Sequence, residues 1–244
     1  MQTSKRASHA TGLPINKQWA SLYLFSEKSR QFEPGTFLKD CALNFFSILD
    51  CKQHENIEYI NSTTYGWFLT CIRRKYNHEE FIQNYTRRRF QEMSIRNPWI
   101  TLIHQDMHWQ TLVIVNPGQT NCIALLMDSY TDTTSNNFNL INAFTVLLVN
   151  AVSRHLNEPQ TCNPNILKQC SVPQQPNAFD CGPFSLLNIK HTLKNQHLLF
   201  SSTPNELCSS FHSWYDTHKA TRYQNYLSWK FTTYMEQHGI NTTT

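Results

Sequence analysis

The spacing of apolar residues changes several times along the chain, and each change marks a different kind of element. From Leu38 onward Leu38, Ala42, Phe45 and Leu49 recur at intervals of four, three and four, which aligns them on one helix face. A second helical pattern, Glu79 to Phe90, carries Phe81, Ile82 and Tyr85 and closes on the basic run Arg87-Arg88-Arg89, read as a solvated helix end. The middle of the chain is different. Pro98 to Ile103, Trp109 to Val115 and Cys122 to Met127 are short and rich in β-branched and aromatic residues, which predicts strands. The Asn116-Pro117-Gly118 turn sets the third beside the second. Helical spacing returns over residues 138–152. After a proline-containing loop, 158–176, it returns again behind Asp180-Cys181-Gly182-Pro183, with Leu186, Ile189 and Leu193 on one side.

Toward the C-terminus, Thr203-Pro204-Asn205-Glu206 combines a capping hydroxyl, a first-turn proline and a glutamate able to close a capping box. Leu207, Phe211 and Trp214 then face inward, and Leu227, Phe231 and Met235 run to a helix stop at Gly239. Residues 1 to about 34 hold no sustained period before the Glu33-Pro34-Gly35 punctuation and read as an extension. With no internal repeat, the pattern predicts one α+β domain, a strand cluster with helices at both ends.

Composition narrows the function classes. Of 244 residues, 40% are hydrophobic and only 16% charged, so the chain has the material for a core and does not resemble a disordered protein. A net charge of +4 gives no warrant for nucleic-acid binding. The longest apolar stretch, Ala143 to Val152, is far short of the ~20 residues that cross a bilayer, and the N-terminus shows no apolar signal core. The expectation is therefore an intracellular protein, nuclear or cytoplasmic, whose eight cysteines are reduced. No two of them stand as CxxC, which disfavours a zinc ribbon. His104-Gln105-Asp106-Met107-His108 has the histidine spacing of a zinc-protease helix, but Gln105 replaces the general-base glutamate and the residues that follow read as strand. No metal or cofactor is expected.

One thiol stands apart. Cys181, followed by Gly182-Pro183, falls at a helix N-terminus, where the helix dipole and a nearby imidazole favour the thiolate a nucleophile needs. His108 opens one strand and Asp128 ends the next. If the strands pair, the carboxylate can fix the imidazole tautomer and leave the other nitrogen for Cys181. Taken singly, each residue also has a structural reading, as a buried thiol, a strand histidine and a turn former.

The segment Val172-Pro173-Gln174-Gln175-Pro176-Asn177-Ala178-Phe179-Asp180-Cys181-Gly182 resembles the nucleophile loop of the ubiquitin-like-protein-specific cysteine proteases, the sentrin/SUMO protease family of the adenain-like clan, peptidase family C48. The family pattern is Pro-Gln-Gln, a spacer, then Asp-Cys-Gly. His108-Trp109 is similar to its His-Trp, Met127-Asp128-Ser129 to its Asp-Ser after an apolar strand, and Phe37-Leu38-Lys39-Asp40 to its Trp-Leu-Asn-Asp. The likeness spans roughly 36–195 and weakens toward 235. Phe37 replaces a tryptophan, and Ala178 and Pro183 depart from the usual glycine and apolar residue.

The resemblance implies a papain-like or adenain-like fold, a central mixed sheet flanked by helices with the nucleophile at a helix N-terminus. It implies an extension at 1–35, a catalytic domain at 36–238 and a tail at 239–244. It assigns Cys181 as nucleophile, His108 as base, Asp128 as its orienting acid and Gln175 as an oxyanion donor beside the Cys181 amide. Trp109 and Phe37 would border a tunnel for a Gly-Gly tail, and Asp40 would contact the modifier through a basic residue. The implied activity is cleavage after the C-terminal Gly-Gly of a ubiquitin-like modifier, with SUMO first and NEDD8 or ubiquitin as alternatives. A related cysteine-dependent acetyltransferase, whose acid is commonly glutamate, and a modifier-binding pseudoprotease are the other readings. The chain is expected to act as a monomer.

Overall fold

A computed structural model describes residues 32–33, 35–89, 94–130, 135–157 and 163–238. The arm up to residue 31, Cys162, the expected stop at Gly239 and the tail lie outside them. The described elements are α1 (Asp40–Cys51), β1 (Glu58–Ile60), α2 (Thr63–Arg73), α3 (His78–Arg89), β2 (Trp99–Gln105), β3 (His108–Val115), β4 (Ile123–Met127), α4 (Ser135–His155), β5 (Leu167–Cys170), α5 (Cys181–Lys194), α6 (Leu198–Ser201), α7 (Pro204–Ser210) and α8 (Thr217–Gln237).

The strands form one mixed sheet in the order β1-β2-β3-β4-β5, with β1 parallel to β2, β2, β3 and β4 antiparallel in turn, and β4 parallel to β5. Every residue of β3 is buried, as a central strand covered on both faces must be. Its alternating side chains divide the interior in two. Trp109, Val113 and Val115 join a core built with α1, α5 and α8, whereas Leu112 and Ile114 join a second core with α2 and α4. Thr111 Oγ1 donates to the Ser185 carbonyl at 3.0 Å and ties β3 directly to α5.

The long periodic elements fall where the sequence places them. The capping box forms, with Thr203 N–H donating to Glu206 Oε2 at 2.9 Å. The inward face behind it is split: α7 ends at Ser210 and a 3₁₀ turn, Phe211–Ser213, carries Phe211 into the core. Phe32, inside the stretch read as an extension, is also buried, stacked on Phe231 of α8 at 5.8 Å and edge-on to Phe46 of α1. No helix among the described residues is long and apolar enough to cross a membrane.

Candidate active site

Three elements deliver three side chains to one place. β2 and β3 are joined by a two-residue hairpin, Asp106 and Met107, both in the left-handed region at φ 51° and 60°. Two such residues in succession give the type I′ turn whose twist suits a tight antiparallel pair. His108 is consequently the first residue of β3. The same hairpin rules out a helix across His104 to His108. His104 instead pairs with Trp109 across the strands and stacks on its indole at 4.2 Å. β4 runs antiparallel to β3 with Met127 opposite Thr111, so Asp128 leaves the sheet beside the start of β3. His108 Nε2 meets Asp128 Oδ1 at 2.6 Å.

The third element is α5, whose first residue is Cys181. Asn177 builds the turn that precedes it: its Oδ1 accepts from the Phe179 and Asp180 amides at 3.1 and 3.0 Å, and its Nδ2 donates to Asp180 Oδ2 at 2.9 Å. The helical ladder begins with Phe184 N–H on the Asp180 carbonyl. The amides of Cys181 and Gly182 therefore belong to the unpaired first turn, pointing out of the helix end. The Phe37–Asp40 segment lies against this turn. A β-carbon on Gly182 would come within 2.9 Å of Leu38 Cβ, and one on Gly35 within 3.9 Å of the Phe179 ring. Glycine after the cysteine is a packing requirement of that close approach.

The electrostatics follow from burial and pairing. Cys181 is 0% exposed, His108 9% and Asp128 3%. Burial alone would lower the His108 pKa, but hydrogen bonds to Asp128 and to the Cys181 thiol, with the charges of both, outweigh it and raise the imidazole to about 9. Because Nε2 is occupied by Asp128, Nδ1 is the nitrogen left for the sulfur. Burial likewise pushes Asp128 up, and the hydrogen bonds from His108, the Tyr130 amide and Gln110, with the imidazolium charge, bring it below the usual carboxylate range. The arrangement favours the imidazolium beside the Asp128 carboxylate.

Gln175 is tied to Ser129, the residue after Asp128. Its amide N–H donates to the Ser129 carbonyl at 2.8 Å, its Oε1 accepts from Ser129 Oγ at 2.7 Å, and its Nε2 donates to the Asn177 carbonyl at 2.6 Å. A carboxamide nitrogen carries two hydrogens, so one remains for another acceptor. Three supporting residues escaped the sequence reading. Gln110 donates to Asp128 Oδ2 at 2.5 Å, Gln174 donates to the Asp128 carbonyl at 3.1 Å, and Asn177 shapes the turn. Period two was the signal for Gln110, which shares the strand face of His108 two positions away.

The proposed substrate side is arranged more loosely. Asp40 and Trp109 line one groove of about 460 Å³, together with Trp67 of α2, Arg74 just past its end and His104. Asp40 is exposed, while Trp109 is only 4% exposed beneath His104. Phe37, 41% exposed, stands three residues before Asp40 on the segment that touches the nucleophile turn.

Comparison with known proteins gives this geometry a family. No curated protein sequence matches the chain. Among solved structures, the chain is similar to a de-sumoylating protease, at 16% identity and a TM-score of 0.62, with 92% of this chain and 90% of that one covered. It is similar to the SUMO protease Ulp1 with its catalytic cysteine oxidised to a sulfinic acid, at 18% identity and a TM-score of 0.61, covering 84% and 81%. It is similar also to the C-terminal Ulp1 protease domain in complex with Smt3, the yeast ortholog of SUMO, at 19% identity and a TM-score of 0.58, covering 84% and 80%. At these identities the likeness is one of fold, and it agrees with the mixed sheet and flanking helices described above. Residues 55–225, which include His108, Asp128 and Cys181, match the Ulp1 protease family, C-terminal catalytic domain, and the chain therefore belongs to that family of cysteine proteases.

Proposed function

We propose that this protein is a thiol isopeptidase or processing protease that cuts after the C-terminal Gly-Gly of a SUMO-like modifier, with Cys181, His108 and Asp128 as its triad. The observation that carries the reading is the imidazole of His108, held by Asp128 at 2.6 Å on one nitrogen and hydrogen-bonded to the Cys181 thiol on the other side. With the proton they share held on His108 Nδ1, the Cys181 thiolate attacks the glycine carbonyl carbon, and the carbonyl oxygen becomes an oxyanion that faces the Cys181 amide and the second Nε2 hydrogen of Gln175. As the tetrahedral species collapses, His108 Nδ1 gives its proton to the departing amine and the acyl thioester forms. His108 then takes a proton from water, hydroxide attacks the thioester, and Cys181 is released.

SUMO is the first choice of modifier because the similar structures include a Ulp1 domain in complex with a SUMO ortholog. On this reading Trp109 and Phe37 border the path to Cys181, where a tail without side chains would pass most easily. Asp40, exposed at the groove mouth, offers a carboxylate to a basic residue of the modifier.

Fluorogenic conjugates of SUMO, NEDD8 and ubiquitin test the reading. The expected result is turnover of the SUMO conjugate, a covalent adduct at Cys181 with a SUMO vinyl sulfone, and loss of turnover to background in Cys181→Ala with binding retained. Wild-type cleavage by Cys181→Ala would overturn the triad. Exclusive cleavage of NEDD8 or ubiquitin conjugates would overturn the modifier and leave the chemistry standing.

A further inference from the structure

A pair of thiols lies at the root of the nucleophile loop and has no part in the mechanism above. Cys170, the last residue of β5, is buried, and its Sγ lies 3.1 Å from Sγ of Cys208 in α7, which is partly exposed. The backbones are held together as well, with Ser171 N–H donating to the Cys208 carbonyl at 3.1 Å. A disulfide needs about 2.05 Å between sulfurs, so a contraction of roughly 1 Å between anchored segments would close one. The two cysteines are 38 positions apart. The chain between them contains Gln174, Gln175, the Asn177 turn, Cys181 and the whole of α5.

We propose that Cys170 and Cys208 are a reversible oxidation site, closing to an intramolecular disulfide under peroxide and clamping the segment that carries the nucleophile. The chemistry is divided between the two sulfurs by their surroundings. The Cys170 S–H bond lowers the Cys208 pKa, burial opposes it, and the charge of Lys168 adds to the lowering, so Cys208 is the attacking sulfur. Cys170 is pushed the other way, by that same hydrogen bond and then by burial, and stays a protonated thiol. The Cys208 thiolate attacks one oxygen of hydrogen peroxide, cleaving the O–O bond to give a sulfenic acid and, after protonation, water. The Cys170 sulfur then attacks the sulfenic sulfur, loses its proton, and expels a second water as the S–S bond forms. The two thiols lose two electrons together, peroxide takes both, and a thiol reductant reverses the step.

Neither sulfur touches His108, Asp128 or Cys181 in the contacts described, so the clamp is separable from oxidation of the nucleophile. The full chain carrying Cys181→Ala is treated with hydrogen peroxide while folded, alkylated, and mapped by mass spectrometry without reduction. The expected result is a Cys170–Cys208 linked peptide, a chain lighter by about 2 Da before alkylation, and a Tm raised by roughly 5–10 °C that dithiothreitol reverses. In Cys208→Ser on the same background, the linked peptide and the Tm shift should both be missing. Recovery of Cys208 as a sulfinic acid with Cys170 alkylated would overturn the proposal, as would a link that forms only after denaturation. The mapping of the unsubstituted pair decides the matter even if Cys208→Ser folds poorly.

Discussion

The triad region and the proposed modifier side differ in how their side chains are held. On the nucleophile side, Asp128, Gln174, Gln175 and Asn177 each make at least two hydrogen bonds to named partners, and every catalytic candidate is nine-tenths buried or more. On the modifier side, Phe37 and Trp67 are open to solvent, and the Asp40 carboxylate bonds only its neighbour's amide, Cys41 N–H, among the contacts described. Bond making requires groups fixed to within fractions of an ångström, because misplacement by 1 Å can cost a hundredfold. Recognition of a protein surface tolerates exposed groups that the partner itself desolvates. On the proposed reading, chemistry lies in the interior and choice of modifier at the rim, and substitutions on the two sides should fail in different ways.

The largest effect is expected at Asp128. Asp128→Asn keeps the shape but no longer favours the imidazolium, and it replaces an acceptor of Gln110 with a group that can donate. Turnover should fall by about 10³-fold or more with little change in KM. A variant with its loss confined to KM would show that Asp128 serves binding instead. Gln175→Ala should cost about 10²-fold in kcat, the usual worth of one oxyanion donor. Because Ser129 Oγ loses its acceptor in that variant, Ser129→Ala serves as the control. It removes the same bond but keeps the carboxamide, and should lose much less.

The protonation of His108 gives a third, smaller effect, read as stability. Its folded value of about 9 lies above the ordinary 6.5, so the folded state holds the proton more tightly than the unfolded chain. The contribution is fully present below pH 6.5 and is lost as pH rises through about 9, with a loss on the order of 1–3 kcal/mol. Urea unfolding between pH 6 and 10 measures it, and His108→Gln should flatten the slope. An unchanged slope in that variant would assign the pH dependence to other groups. Asp128 contributes with the opposite sign, present above the ordinary carboxylate value and lost as pH falls through its lowered folded value.

Legibility in the sequence divides along the same line. The catalytic candidates were readable because a strand start, a strand end and a helix start each expose one residue at a fixed point, and the Pro-Gln-Gln to Asp-Cys-Gly loop is short enough to keep its order visible. The elements that went unread were the short or two-faced ones. β1 has three residues and β5 four, too few for a period to register, and α2 buries Tyr65, Phe68 and Leu69 but interrupts them with Gly66 and Trp67. The loss mattered, because α2 and its C-cap supply Trp67 and Arg74 to the groove with Asp40 and Trp109. Phe32 was hidden for another reason: a single aromatic beside Pro34-Gly35 has no periodic neighbours, and only α1 and α8 together create the site it fills.

The smallest effect should come from Phe37, where the sequence departs most visibly from the family pattern at the rim. Its ring lies on the segment that packs Leu38 onto Gly182, so a larger side chain there changes the approach to Cys181 without touching the triad. Phe37→Trp restores the wider indole over the expected path of the Gly-Gly tail. A few-fold fall in KM for the SUMO conjugate is expected, on the order of 1 kcal/mol of added contact, with kcat unchanged. Phe37→Ala should raise KM by a similar factor. If either substitution changed kcat and left KM alone, the ring would be positioning the nucleophile turn, and the division between buried chemistry and exposed choice would have to be redrawn at this residue.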